Sequence, residues 1–378
     1  MSKATSTDNR RIDRQEILDR YPGRYEGSNQ WLGTNGRHDD HDAMRRHFGI
    51  PSWDSDSFDY PLIPDLLDHE YDPDPPYSEG GTDLFIRGKP GSGKSSLLRY
   101  LAIRLLELND EIILWRASPS RSEWLALAPW ATVWLPEGVE VEVELASLDP
   151  TVESISLELS SLAPEVVRAV ERYSDPRDLL DRVGRGQINI VYPDPTMSGC
   201  QAILEDISEK DYEIPEGRSS LFHPDDPSHH WFIALFAERV EHGPHFMTTL
   251  IMDEIGDLLP QNARKDSFGT YQKVQFFTDI LVDARKKGLS IFSAGHSSKD
   301  LHAMVRRKIR WRCQMPNQAN PIRATQTVGM ESIPMNTDLA SRLDLGSALF
   351  YSEQYFDIAS YGHTPDPGDH KLQIKYND

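Results

Sequence analysis

The sequence predicts an α/β chain built on a mostly parallel sheet with crossover helices. Three observations predict it. An apolar run, "TDLFIRG" (82–88), passes through a glycine-rich turn into a helical run, "KSSLLRYLAIRLLELND" (94–110). A second apolar run, "TTLIMDE" (248–254), ends in two acids. A helical segment, "YQKVQFFTDILVDARKKG" (271–288), then leads into a third apolar run, "LSIFSAGH" (289–296). Strand, helix, long excursion, strand, helix, strand is the order that parallel sheets with crossovers produce.

The elements follow in order. Residues 1–80 read as an acidic N-terminal arm and linker: between Asp39 and Glu79 twelve acids stand against two bases, Arg45 and Arg46. "HEYDPDPPYSEGG" (69–81) is a Pro-rich linker, unsuited to a central strand or a helix. Trp31, Phe48, Trp53 and Phe58 are scattered apolar anchors, by which part of the arm packs on the main domain. A wholly disordered arm is the rival expectation. Residues 81–378 read as one domain, with an α+β insertion at about 118–229. The helix after the glycines carries a broad apolar face, Leu97, Leu98, Leu101, Ile103, Leu105 and Leu106. "EIILWRA" (111–117) is the next strand. In the insertion, "ATVWLP", "VEVELAS" and "QINIVYP" predict strands, while "PEVVRAVERY" and "PRDLLDRV" predict short helices with Pro near the start. "HWFIALFAERVEHG" (230–243) predicts an amphipathic helix stopped by Gly243. Later come a helix in "SKDLHAMVRRK" and strands in "IRWRCQM", "SALFYS" and "FDIASY".

Composition narrows the class. The 378 residues carry a formal net charge of −20, and of 40 basic residues 12 are Lys and 28 Arg. An acidic surface that avoids Lys predicts a halophilic setting, where salt screens carboxylate repulsion; an ordinary acidic bacterial protein is the alternative. Cys200 and Cys313 lie far apart without CxxC spacing, which argues against a disulfide framework or zinc ribbon and suits a reducing cytosol. No run approaches the ~18 apolar residues of a membrane span, and the first residues lack an apolar signal region. The expected location is cytoplasmic, or virion-associated if the chain is viral.

The glycine turn reads Gly88-x4-Gly93-Lys94-Ser95, the Walker A pattern in the strand–turn–helix context that it requires. Glycine dihedrals let successive N–H groups converge on phosphates, aided by the helix N-terminus. The expected nucleotide site is Gly88, Lys89, Pro90, Gly91, Ser92, Gly93, Lys94, Ser95 and Ser96, binding ATP. Lys94 reaches the β- and γ-phosphates, and the Ser95 hydroxyl ligates Mg2+. A turn that merely tolerates glycine does not explain Lys-Ser at the helix start. In "TTLIMDE", Asp253 is the expected metal-holding Walker B acid and Glu254 the residue that polarises the attacking water. At the end of "LSIFSAGH", His296 or Ser293 is placed to meet the γ-phosphate; helix capping is the competing role, which Ser297 and Ser298 also suit.

"GKPGSGKS", "TTLIMDE" and "DARKKGLSIFSAGHSSKDLHAMVRRKIRW" together resemble the FtsK–HerA superfamily of P-loop ATPases, which includes DNA translocases, conjugation coupling proteins, viral genome-packaging ATPases and Zot-like proteins. "LASRLDLGSALFYSEQYFDIASY" is similar to the family's closing strands. The likeness covers roughly residues 82–116 and 230–362. It implies a RecA-like P-loop NTPase core, a hexameric ring with ATP at subunit interfaces, and nucleic acid in the pore. The family often has Gln where His296 stands, and its trans-acting arginine finger has no motif here; Arg264 and Arg285 are the candidates, and both also suit a plain surface.

Charge bears on the cargo separately. Residues 281–323 hold ten bases, Arg285, Lys286, Lys287, Lys299, Arg306, Arg307, Lys308, Arg310, Arg312 and Arg323, against Asp283 and Asp300. Such a basic stripe (285–323) fits a phosphate-backbone contact; pairing with acids at a subunit interface is the alternative. In "RRKIRWRCQ", Arg310 and Arg312 are expected on one strand face, with Ile309 and Trp311 on the other. The functional expectation is a multimeric ATPase motor that translocates or packages double-stranded DNA, cellular, plasmid-borne or from an archaeal virus. The alternatives are a slow nucleotide-dependent switch and a Zot-like virion-assembly factor acting on proteins.

Overall fold

The structure is a computed structural model, and it describes residues 41–58, 60, 62–73, 76–79, 83–118, 121–147, 151, 154–163, 166–207, 228–244, 246–265, 269–318, 339–352, 356–362 and 370–376. Trp31 and Arg323 lie outside the described residues.

Fifteen strands occur among the described residues: β1 (Glu70–Pro73), β2 (Pro76–Glu79), β3 (Leu84–Arg87), β4 (Ile112–Arg116), β5 (Ala131–Pro136), β6 (Val141–Ser147), β7 (Ile155–Leu157), β8 (Ala169–Tyr173), β9 (Gln187–Val191), β10 (Thr248–Met252), β11 (Leu289–Gly295), β12 (Trp311–Gln314), β13 (Ser347–Tyr351), β14 (Phe356–Ser360) and β15 (His370–Tyr376). Ten of them form the main sheet, in the order β14-β13-β12-β3-β11-β10-β4-β9-β5-β8. Every pairing from β12 to β8 is parallel, and β13 and β14 add antiparallel pairs at one edge. The glycine-loop strand β3 and the acid-bearing strand β10 are thus separated by one strand, β11. All three end at the same sheet edge, because Gly295 pairs with Arg87 and Ser293 with Met252. In open α/β sheets that carboxyl edge is where ligands bind.

Alternation along the strands builds two cores. Leu84 and Ile86 of β3, with Ile113 and Trp115 of β4, pack on one face against the helix Lys94–Asn109. Phe85, Ile112 and Leu114 point to the other face, covered by helices Ser228–Glu241 and Thr270–Ala284. These strands are apolar on both faces, as buried parallel strands are.

Residues 118–229 contribute directly to this sheet: β9, β5 and β8 continue it beyond β4. β6 and β7 instead join β15 in a small antiparallel sheet. "PEVVRAVERY" corrects the helical expectation, since Ala169–Tyr173 is strand β8, in parallel register with Thr132–Pro136 of β5. Pairing with β5 overrides a local periodicity too short to hold a helix alone. In "SKDLHAMVRRK" only Ala303–Lys308 is helical, because Leu301 bridges to Pro260. The Pro-rich linker folds back as the hairpin β1–β2. Ile309 lies in one core cluster and Trp311 packs on the other, so the expected Ile309/Trp311 face does not form; the strand begins at Trp311.

Part of the arm is docked. Phe48 is buried in the core beneath the helix Lys94–Asn109, and Trp53 and Phe58 pack against it. A buried polar cluster continues the docking. His69 Nδ1 bonds Glu111, while Asn109 Nδ2 donates to Glu111 Oε1 at 2.9 Å and Thr249 Oγ1 donates to Glu111 Oε2 at 2.6 Å. His69 and Glu111 side chains are fully buried. Burial alone works against a charged His69, but the Glu111 charge and hydrogen bond, with the Leu66 carbonyl, outweigh it and raise the pKa. A histidine pKa raised above its unfolded value of about 6.5 stabilises the fold fully below that pH, and the contribution disappears as pH rises through the folded value. Urea unfolding across that window is expected to show stability falling with rising pH, and His69→Ala is expected to remove this slope and cost roughly 3 kcal/mol below it. Equal slopes in the two proteins would exclude the assignment.

Candidate nucleotide site

The glycine turn lies between β3 and the helix that begins at Lys94. Gly93 caps that helix in the left-handed region, φ 92° and ψ 16°, which favours glycine. Space enforces the same choice, since a Cβ there would meet the Tyr361 hydroxyl at 2.6 Å. A Cβ on Gly88 would clash with Ser92 Oγ and meet Met315 Cγ at 2.7 Å. Tyr361 and Met315, both buried, therefore form the floor of the loop.

Lys94 is 7% exposed, and its ammonium donates to the carbonyls of Gly88 at 3.0 Å and Lys89 at 3.4 Å. Ser95 Oγ donates to Asp253 Oδ2 at 2.9 Å. Two hard oxygen donors therefore sit side by side, the donor chemistry that magnesium takes, so the residues fit that ion. Asp253 Oδ1 accepts the Glu254 N–H at 3.0 Å, and its carbonyl accepts Arg116 Nη1 at 3.2 Å from the end of β4.

Glu254 itself has φ 50° and ψ 55°, a left-handed conformation that costs a side-chain-bearing residue energy and is held by its surroundings. Its carboxylate stands 3.2 Å from His296 Nε2. His296 Nδ1 lies 3.3 Å from both the Lys94 ammonium and the Gly88 carbonyl. Burial first, then the Asp253 charge, pushes the Glu254 pKa up; His296, Lys94 and Arg121 pull against this. A proton acceptor more basic than a free carboxylate, beside a cation and a magnesium-type donor pair, suits hydrolysis of a phosphoanhydride.

The structure brings together Lys94, Ser95, Asp253, Glu254 and His296. Ser293 does not join them, because its hydroxyl donates to the Leu84 carbonyl at 3.0 Å inside the sheet. Arg264 is exposed, in the loop that follows the acid strand, with its carbonyl accepting the Tyr271 N–H at 3.1 Å. Arg285 opens the 3-10 turn before β11, at the opposite sheet edge, roughly 20 Å from the loop at the ordinary strand rise. Neither arginine touches the site of its own chain in the contacts above.

Four residues at the site were not read as functional in the sequence. Two are Arg116, on the Asp253 carbonyl, and Tyr361, under Gly93. Arg121 Nη2 bonds Asp257 Oδ2 at 2.8 Å. The Glu123 carbonyl accepts Arg99 Nη1 at 2.9 Å, and the pKa of its carboxyl is raised by burial and by the Asp253 charge. Tyr361 is 268 residues from Gly93, and nothing local marks it.

The basic stripe is divided. Arg285, Lys286, Arg307, Lys308 and Arg310 are exposed, as is Lys299 near the site edge. Arg306 Nη1 donates to the Ser298 carbonyl and Arg312 Nη2 to the Arg306 carbonyl, both at 3.1 Å. Lys286 pairs with Asp283 at 3.6 Å. Among the described residues no helix is long and apolar enough to cross a membrane.

No family model and no curated protein matches the chain. Solved structures do. The genome packaging NTPase of Sulfolobus turreted icosahedral virus 2, in complex with ATP-gammaS, is similar at 12% identity and TM-score 0.38, over 75% of this chain and 98% of that one. The conjugation coupling protein TcpA of pCW3 is similar at 12% identity and TM-score 0.35, over 77% of this chain and 63% of that one. The cytoplasmic domain of the type VII secretion ATPase EccC of Thermomonospora curvata is similar at 14% identity and TM-score 0.36, over 86% of this chain and 33% of that one.

Proposed function

We propose that this chain hydrolyses ATP at the edge formed by β3, β11 and β10, as a multimeric motor that moves or packages double-stranded DNA. One observation carries the reading: a glycine turn, a lysine, a serine, two acids and a histidine from three neighbouring strands join through contacts of 3.3 Å or less. The turn's N–H groups and the Lys94 ammonium bind the triphosphate. Ser95 and Asp253 would hold magnesium, which when bound neutralises charge on the phosphate oxygens. Glu254 accepts the proton of the attacking water, and His296 holds its carboxylate while facing Lys94.

The cargo reading rests on the resemblance of the motifs and on exposed bases. Lys299, Arg307, Lys308 and Arg310 are the candidate phosphate contacts. A ring, with Arg264 or Arg285 of one subunit reaching the site of the next, completes the proposal. The acidic, Lys-poor composition favours work at high salt, where DNA contacts weaken steeply.

The test is ATP turnover in molar KCl and at stepped lower salt, with and without duplex DNA, read beside sedimentation. Multimers whose turnover rises several-fold with DNA are expected. Turnover indifferent to DNA at every salt step would remove the motor reading, and capture of coat protein by the same preparation would favour virion assembly.

A further inference from the structure

The end of β4 and the segment after it flank the acid-bearing turn. Arg116, at the strand end, holds the Asp253 carbonyl. Five residues on, Arg121 is fixed by an N–H bond to the Ser118 carbonyl at 3.0 Å. Its side chain is a quarter exposed, and the guanidinium pairs with Asp257 at 2.8 Å, with Glu123 further off at 3.8 Å. Asp257 belongs to the four-residue helix Ile255–Leu258, which starts directly after Glu254. Its N–H closes the turn on the Glu254 carbonyl at 3.1 Å.

Glu254 is thus a left-handed residue at the start of a helix too short to hold itself. Arg116 fixes the backbone on one side of it. Arg121 fixes the turn on the other, through a side chain that nothing in the proposed hydrolytic machinery otherwise needs. Arg121 also adds a cation where Glu123, Asp253, Glu254 and Asp257 gather.

We propose that Arg121 is a positioning residue: through its ion pair with Asp257 it holds the 254–257 turn, so that the Glu254 carboxylate stays aimed at the attacking water. The claim rests on the reading of this site as an ATP hydrolase. It differs from an arginine finger, because Arg121 acts within its own chain and through another residue.

The experiment compares the full-length wild type with Arg121→Ala, Asp257→Asn, the double variant, and the exchange Arg121→Asp/Asp257→Arg. It measures kcat and KM for ATP with magnesium, and the affinity for a fluorescent ATP analogue. Each single variant is expected to lower kcat on the order of 10- to 100-fold, the usual cost of a small misplacement, with analogue affinity within about threefold. The double variant is expected to lose no more than either single one, and the exchange to recover much of the loss, because one pair is responsible. Affinity falling together with kcat would make Arg121 a nucleotide contact and overturn the proposal. Additive losses, or an Arg121→Ala enzyme with unchanged kcat, would overturn it too. Glu254→Gln serves as the control: if wild type turns over and this variant does not, the hydrolase reading stands whatever Arg121 does. A wild type without turnover would end that reading instead.

Discussion

Lys94→Ala is expected to reduce ATP hydrolysis to a small residue of the wild-type rate. The ammonium is nearly buried and holds the Gly88 and Lys89 carbonyls at 3.0 and 3.4 Å, at the mouth of the glycine turn. A triphosphate offers stronger acceptors than those carbonyls, so the same donor turns to the β- and γ-oxygens without moving far. Charge on these oxygens redistributes in the transition state, where a fixed, nearly buried cation stabilises more than one free in water. Alanine removes that charge and takes away one of the two neighbours of His296 Nδ1 at 3.3 Å, leaving the Gly88 carbonyl. A fall of about 10²–10³ in turnover is expected, with weaker nucleotide binding. Phosphate release and analogue titration measure the two effects. An alanine variant that keeps a tenth or more of wild-type turnover would show that the turn does not hold the reacting phosphates.

Glu254→Gln separates binding from chemistry. The amide keeps the size of the carboxylate and can still bond His296 Nε2, now 3.2 Å from Oε1. It cannot take a proton from water. Ser95, Asp253 and Lys94 are untouched, so ATP affinity is expected to stay within about threefold while turnover falls about 10²–10⁴, the range for loss of a general base. Single-turnover mixing followed by quench should find ATP bound and intact. If the glutamine variant turned over at the wild-type rate, water would have to be activated by some other group, and the left-handed turn at Glu254 would have lost its functional explanation.

Much of the site was readable in the sequence because its chemistry is local. Gly88 through Ser96 are contiguous, and the spacing of glycine, lysine and serine follows from the reach of backbone N–H groups around a phosphate. Asp253 and Glu254 follow an apolar run long enough to be a buried strand. The helix Ser228–Glu241, expected at 230–243, was legible for the same reason, because its pattern lasts for several turns. "PEVVRAVERY" was misread because a short segment carries both periodicities, and β5 decided between them. Arg121 could not be singled out, since an arginine five residues past a strand looks like any surface arginine until Asp257 is seen beside it.

The amino-acid order alone therefore determined where the glycine-lysine-serine turn lies, which acids end the strand two places away, and that parallel strands alternate with helices. All of these depend on neighbours a few residues apart. Only the tertiary structure decided that β11 lies between β3 and β10, which sets His296 rather than Ser293 between Lys94 and Glu254. It alone decided that Tyr361 and Met315 underlie the glycine turn, and that β9, β5 and β8 extend the main sheet. The reason is physical: sheet order and packing are fixed by burial summed over strands hundreds of residues apart, and no local pattern records that sum.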